Sequence, residues 1–262
     1  MENITEAKQL INDSKNIYLI TSQGLEAITS TLALFYTLKD LGKNVNLITD
    51  TLPENLKFLT PSLDFISYPK NFVISVPNNV AQISQIYYEK NDDALRIHLT
   101  LENGNIKKDN ISFYFSEAKP DLIITIGIKD YQKELSDKLN SFGFLLDSPI
   151  VNIDTSIPLG AGNMQDNKKF GKINLLGESS LTEIVYSLIK PDKSPEGHFD
   201  GPATISPKAS LGREPATCLL SGLVFYTENF KNKLTAKVFR IASNLMEKGA
   251  DLDNIVKNIY PK

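Results

Sequence analysis

At 262 residues, with 41% hydrophobic and 23% charged side chains, the chain has the composition of a globular protein able to bury a substantial core. A net charge of −3, with arginine only at Arg96, Arg213 and Arg240, excludes a general electrostatic grip on nucleic acid but leaves room for a local patch that holds a short substrate. The single Cys218 excludes an internal disulfide. The opening MENITEAKQLINDS has no signal-peptide core, and no apolar run approaches the roughly 18 residues of a membrane span. A cytoplasmic protein with no membrane contact is expected.

In chain order, Asn3-Ile-Thr-Glu6 reads as a capping box opening a helix to about Asp13. Asn16 to Thr21 is a short apolar run of buried-strand type, and the polar turn Ser22-Gln23-Gly24 leads into a helix reaching about Leu41. Gly42 stands where a helix stop belongs, and Asn44 to Ile48 is a second strand, so the unit is a right-handed βαβ. Further strands are predicted at 72–76, 111–115, 122–126 and 150–153.

From Ala94 to Leu101, Leu95, Ile97, Leu99 and Leu101 point one way and Arg96, His98 and Thr100 the other. This is one arm of a hairpin, expected to close at Asn103-Gly104 and to form an antiparallel edge on an otherwise parallel sheet. Tyr87 and Tyr88, beside Ile83 and Ile86, are expected to pack a helix onto the sheet; the alternative is a stacking or partner surface.

Helices are predicted at about 130–142, 180–190, 214–226, 231–248 and 252–260. Ser180-x-x-Glu183 is a second capping box, and Gly249 a helix stop. Between them, Pro191 to Gly212 is rich in Pro, Gly, Ser and Lys and reads as a long exposed loop. The expected organisation is an α/β core over 1–190, that loop over 191–213, and a helical C-terminal part of the same domain over 214–262. The fold class is a doubly wound, mostly parallel, Rossmann-like sheet.

The stretch from Val151 to Ile189 carries the most information. It contains Asn152-Ile153-Asp154, then Phe170-Gly171, then Ser179-Ser180-Leu181-Thr182-Glu183. It resembles the signature segment of the DHH phosphoesterases, the RecJ-like exonucleases and oligoribonuclease/pAp phosphatases. Weaker matches extend the resemblance from Ile17 to Tyr260: the first turn ending in Ser30, the strand Asp121 to Gly127, and Gly222 to Phe230.

The resemblance implies two divalent ions, usually manganese, that activate a water and steady phosphoryl oxygens. It places their ligands on the turns after Ile20, Ile126 and Ile153, at the carboxyl ends of parallel strands. Here those positions depart from the pattern. Gly24 and Glu26 match the two first-turn aspartates, with no histidine before them; Gly127 matches the second-turn aspartate. Asp154 persists, but Thr155 and Ser156 replace both histidines. Tyr226 and Glu228 stand for an Asp and a Gly in the last motif. The family's C-terminal substrate domain, with its Gly-Gly-Gly-His motif, is expected to be missing.

A manganese pair needs several carboxylates plus imidazole, and Glu26 with Asp154 cannot build one. No catalytic residue and no metal ligand is therefore assigned, and no cofactor is expected; manganese belongs to the alternative. Ser22, Gln23, Gly24, Glu26, Asp154, Thr155 and Ser156 are the candidate ligand-binding residues. Ser22 to Gly24 would form an anion-attracting helix N-terminus. The bland readings are a first-turn carboxylate for Glu26 and a strand-end cap for Asp154.

His98 and His198 match no ligand position, and Cys218 is expected in the core. Lys168, Lys169 and Lys172, around Phe170-Gly171, read as a solvated loop. The leading expectation is a catalytically degenerate DHH-like protein that binds a nucleotide-like ligand, a short oligonucleotide or a protein partner. A homodimer is compatible with the sequence. The alternatives are a metal-dependent phosphoesterase acting on short oligonucleotides or pAp, and a structural subunit.

Overall fold

The computed structural model describes residues 2–48, 52–60, 70–117, 119–130, 134, 148–155, 170–177, 180–190 and 211–261. The chain divides into two compact units, one of residues 1–68 and 119–262 and a second of 69–118.

In the first unit, β1 (Asn16–Thr21), β2 (Asn44–Ile48), β7 (Leu122–Ile126), β8 (Ile150–Thr155) and β9 (Ile173–Gly177) form a parallel five-stranded sheet in the order β2-β1-β7-β8-β9. β1 is buried from Ile17 to Thr21 because its apolar residues serve both faces. Ile17 and Leu19 join the main core; Tyr18 and Ile20 join a second cluster with Ile123 and Ile128 on the other face.

From β1 the chain moves outward to β2, then returns to β7 on β1's other side. The strand order therefore reverses between β1 and β7, and ligand crevices of open α/β sheets lie at the carboxyl side of that reversal.

Helices α1 (Glu2–Asp13), α2 (Leu25–Asp40), α3 (Leu181–Ile189), α4 (Arg213–Tyr226), α5 (Ala236–Glu247) and α6 (Leu252–Ile259) complete this unit. α2 ends as expected at Gly42, whose φ of +73° suits the left-handed stop. Side-chain caps open α3, α5 and α6: Ser180, Thr235 and Asp251 accept from the N–H groups of Glu183, Val238 and Asn254. Small residues let α2, α3 and α4 meet closely, and a Cβ on Gly222 would collide with the Thr182 hydroxyl. Cys218 is buried in this core. No described helix is long and apolar enough to cross a membrane.

The second unit holds β3 (Lys70–Ser75) paired antiparallel with β6 (Ser112–Glu117), and β4 (Ala81–Lys90) paired antiparallel with β5 (Leu95–Gly104). The antiparallel hairpin is present, but as a two-stranded sheet apart from the parallel one. Its turn lies at Asn91–Ala94, where the Asn91 side chain accepts from the N–H groups of Asp93 and Ala94. Asn103-Gly104 instead ends β5, with Gly104 at φ +92° against the Val80 carbonyl.

Tyr87 and Tyr88 lie on a strand and are exposed, not on a helix packed to a sheet. β9 was not anticipated; α5 starts at Ala236, later than the expected 231, whereas α6 starts at Leu252 as expected. The predicted helix at 130–142, the loop at 191–210, and residues Lys168, Lys169 and His198 lie outside the described residues, apart from positions 130 and 134.

Candidate functional site at the strand ends

The carboxyl ends of β1, β7 and β8 are stitched together by main-chain bonds. Ser22 N–H donates to the Ile126 carbonyl at 3.1 Å, and Gly127 N–H to the Ile153 carbonyl at 2.8 Å. Gly127 sits in the middle with φ +72°. A Cβ there would lie 2.7 Å from Ser22 Oγ, 3.1 Å from Ala27 Cβ and 3.3 Å from Leu181 Cδ1. A carboxylate side chain at this position would meet a strained backbone and would have to displace the Ser22 hydroxyl and crowd Ala27.

Gly24 caps α2 without any side-chain hydrogen bond to the helix N-terminus. Glu26, in the first turn, is turned toward α3: its Oε1 accepts from Thr182 N at 3.1 Å and from Thr182 Oγ1 at 3.3 Å. Burial pushes the Glu26 carboxyl above the usual carboxylate range. The Thr182 bonds, the Ser180 hydroxyl and the charge of Lys233 pull it back.

Asp154 faces the opposite way. Along β8, Val151 and Ile153 join the main core under α2, so Asn152 and Asp154 point to the second face. That face carries a buried polar ladder. Thr125 Oγ1 donates to Asn152 Oδ1 at 3.0 Å, and Asn174 Nδ2 donates to the Gly171 carbonyl at 2.7 Å. A Cβ on Gly171 would lie 2.6 Å from the Ile173 carbonyl and 3.0 Å from Asn152 N, which explains the Gly of Phe170-Gly171.

Asp154 is 2% exposed. Its Oδ1 accepts from Thr155 N at 2.8 Å, while its Oδ2 is buried with no hydrogen-bond partner among the described residues. Burial raises the Asp154 carboxyl above its ordinary value; the Thr155 bond and the Lys129 charge lower it, and Glu134 raises it. Glu26 and Asp154 therefore answer to different partners on different faces of the sheet. Ser156 lies outside the described residues.

Among the described residues, the donors at these strand ends do not include the several carboxylates and imidazole that a manganese pair needs. The described residues contain no group of three or more His, Cys, Asp or Glu that could hold a metal ion. Glu26 is committed to α3, and Gly127 closes the position between the two acids.

Lys129, Lys233 and Lys237, which the sequence does not single out, join Tyr226 of the last motif around these acids and Glu183. Lys129, two residues beyond Gly127, lies within electrostatic reach of Asp154. Lys233 reaches Glu26 and sits 4.7 Å over the Tyr226 ring. Burial, then Glu183 and Glu26, raise the Tyr226 hydroxyl above its ordinary value. Lys237 pairs with the buried Glu183 at 2.6 Å.

Lys233 ends a turn in which Glu228, Asn229, Phe230 and Lys233 itself all have φ between 52° and 59°. Such strain in non-glycine residues gathers where a backbone path is set by more than local preference. The signal was available in the sequence as a lysine following the Tyr226–Phe230 motif, but nothing local announces that turn.

A separate cavity of about 230 Å³ opens between Tyr36, Phe58, Leu59, Arg213, Thr217 and Asn254. It shares no residue with the strand-end cluster.

Comparison with protein-family models and with curated proteins finds no match. Among solved structures, the chain is similar to an exopolyphosphatase-related protein from Bacteroides fragilis, at 17% identity and a TM-score of 0.62. The similarity covers 100% of this chain and 61% of that one, so the chain spans less than two thirds of its length. At this identity the likeness concerns the fold alone, a mostly parallel α/β sheet with flanking helices.

Proposed function

We propose that this phosphoesterase-like chain holds a phosphate-bearing, nucleotide-like ligand at the strand-end edge of its first unit, without two-metal hydrolysis. The observation that carries the reading is Gly127, packed against Ser22 and Ala27 where the resemblance implies a metal-binding aspartate. Positive charge is supplied by Lys129, within electrostatic reach of Asp154, and by Lys233, within reach of Glu26. Ammonium groups and the uncapped N-terminus of α2 attract phosphate oxygens without a metal.

The test is thermal unfolding in EDTA with pAp or a dinucleotide added. Binding to the native state alone stabilises by about 2.7 kcal/mol at a hundredfold excess over Kd. An upward shift of Tm is expected, reduced by Lys129→Ala and by Lys233→Ala. Absence of any shift overturns the reading.

One observation favours a second reading, a metal-dependent phosphoesterase for short oligonucleotides or pAp: the buried Oδ2 of Asp154, which has no hydrogen-bond partner among the described residues. Manganese-dependent turnover of pAp, abolished by Asp154→Ala, would establish it in place of the first.

A further inference from the structure

The hairpin of the second unit has two chemically different faces. Register pairs Ile86 with Leu99, Tyr88 with Ile97 and Lys90 with Leu95. Side chains alternate across a strand, so Ile86 and Tyr88 share one face with Leu95, Ile97 and Leu99. Glu89, Arg96 and His98 take the other face, where the Tyr87 and His98 rings stack at 4.5 Å.

Cover on the apolar face fades toward the tip. Ile83, Leu99 and Leu101 are half-buried, whereas Ile86 is 68%, Tyr88 73%, Leu95 60% and Ile97 48% exposed. Lys90, at the tip, is the one charge among this face's described residues.

An isolated two-stranded hairpin is marginal in water, and a contiguous apolar patch of this kind marks an interface. The four exposed side chains present on the order of 500 Å² of mostly apolar surface, within a factor of two of the roughly 800 Å² each partner buries in a stable complex. We infer that this face is the contact surface of a homodimer, with the same hairpin of a second copy as its occupant.

The ladder suits that occupant. An isologous two-fold contact sets the same patch of each copy against the other, so an apolar row meets an apolar row. Its central positions are uncharged, so a second copy covers them without burying an unpaired charge. Two hairpins face to face make a four-stranded sandwich with an apolar interior.

The test is sedimentation velocity of the full chain over a range of concentrations. The wild type is expected at twice the monomer mass, and Tyr88→Lys with Ile97→Lys is expected to raise the dimer Kd at least a hundredfold. Both side chains are exposed, so these changes leave the fold intact, as a retained circular dichroism spectrum would verify. Ile97→Cys supplies a check, because the only native thiol, Cys218, is buried. Oxidation should link two Ile97→Cys chains across the two-fold.

A monomer at every concentration overturns the inference. So does a dimer indifferent to both lysines. A monomer that co-sediments with phosphatidylcholine vesicles through this face overturns it in favour of a lipid surface.

Discussion

Asp154 shows how one side chain couples burial to titration. Its carboxyl is raised by burial, so the folded chain holds the proton more tightly than the unfolded chain does. Between the ordinary carboxylate value and the raised one, the native state binds more protons. Stability therefore falls as pH rises through that window and is level above it. Asp154→Asn removes the titration while keeping an oxygen for the Thr155 N–H.

Relative to wild type, the Asn variant is expected to gain stability as the pH rises from about 3 toward 7. Urea unfolding at several pH values reads this directly. A difference independent of pH would mean that burial does not govern the group. Asp154 and Glu26 were both visible in the sequence as candidates, because strand and helix ends are where ligands gather. Their separation was not. It depends on which way a strand end points and on Thr182, distant in sequence, coming within 3.1 Å of Glu26.

At the scale of elements, α3 and α5 are joined through an unequal ion pair. The Glu183 side chain is 3% exposed and Lys237 60% exposed, at 2.6 Å. Removing the lysine leaves a buried carboxylate without its counter-charge, whereas removing both charges leaves no such orphan. Lys237→Ala is expected to cost about 2 kcal/mol in urea unfolding, and adding Glu183→Gln should recover most of it. If the double variant is as weak as the single one, the pairing is incidental to stability.

The elements of the parallel sheet were legible where continuous apolar runs end in a turn or glycine, as in β1, α2 and β2. β9 was not, because its apolar run is only Ile173, Leu175 and Leu176, interrupted by Asn174. β4 was misread for a physical reason. A register shift around Ser84 puts Ile83 and Ile86 on the same face at a spacing of three, which imitates a helical period.

At the scale of the whole molecule, the two units carry their proposed activities on separate residues. Ligand charge is met in the first unit by Lys129 and Lys233, and self-contact in the second by Tyr88 and Ile97. Changes at sites with no shared partners add, so each function should be removable without the other.

The Tyr88→Lys, Ile97→Lys protein is expected to be monomeric and to bind a nucleotide with a Kd within about twofold of wild type, a difference of about 0.4 kcal/mol. Lys129→Ala should do the reverse, losing affinity while remaining a dimer. Calorimetric titration and sedimentation on the same two preparations compare these outcomes. Dimer contact also stabilises by mass action, so wild-type Tm should rise with protein concentration and that of the monomeric variant should not. Should the monomeric variant lose ligand binding as well, the strand-end site would have to depend on the second copy, and the two proposals would become one.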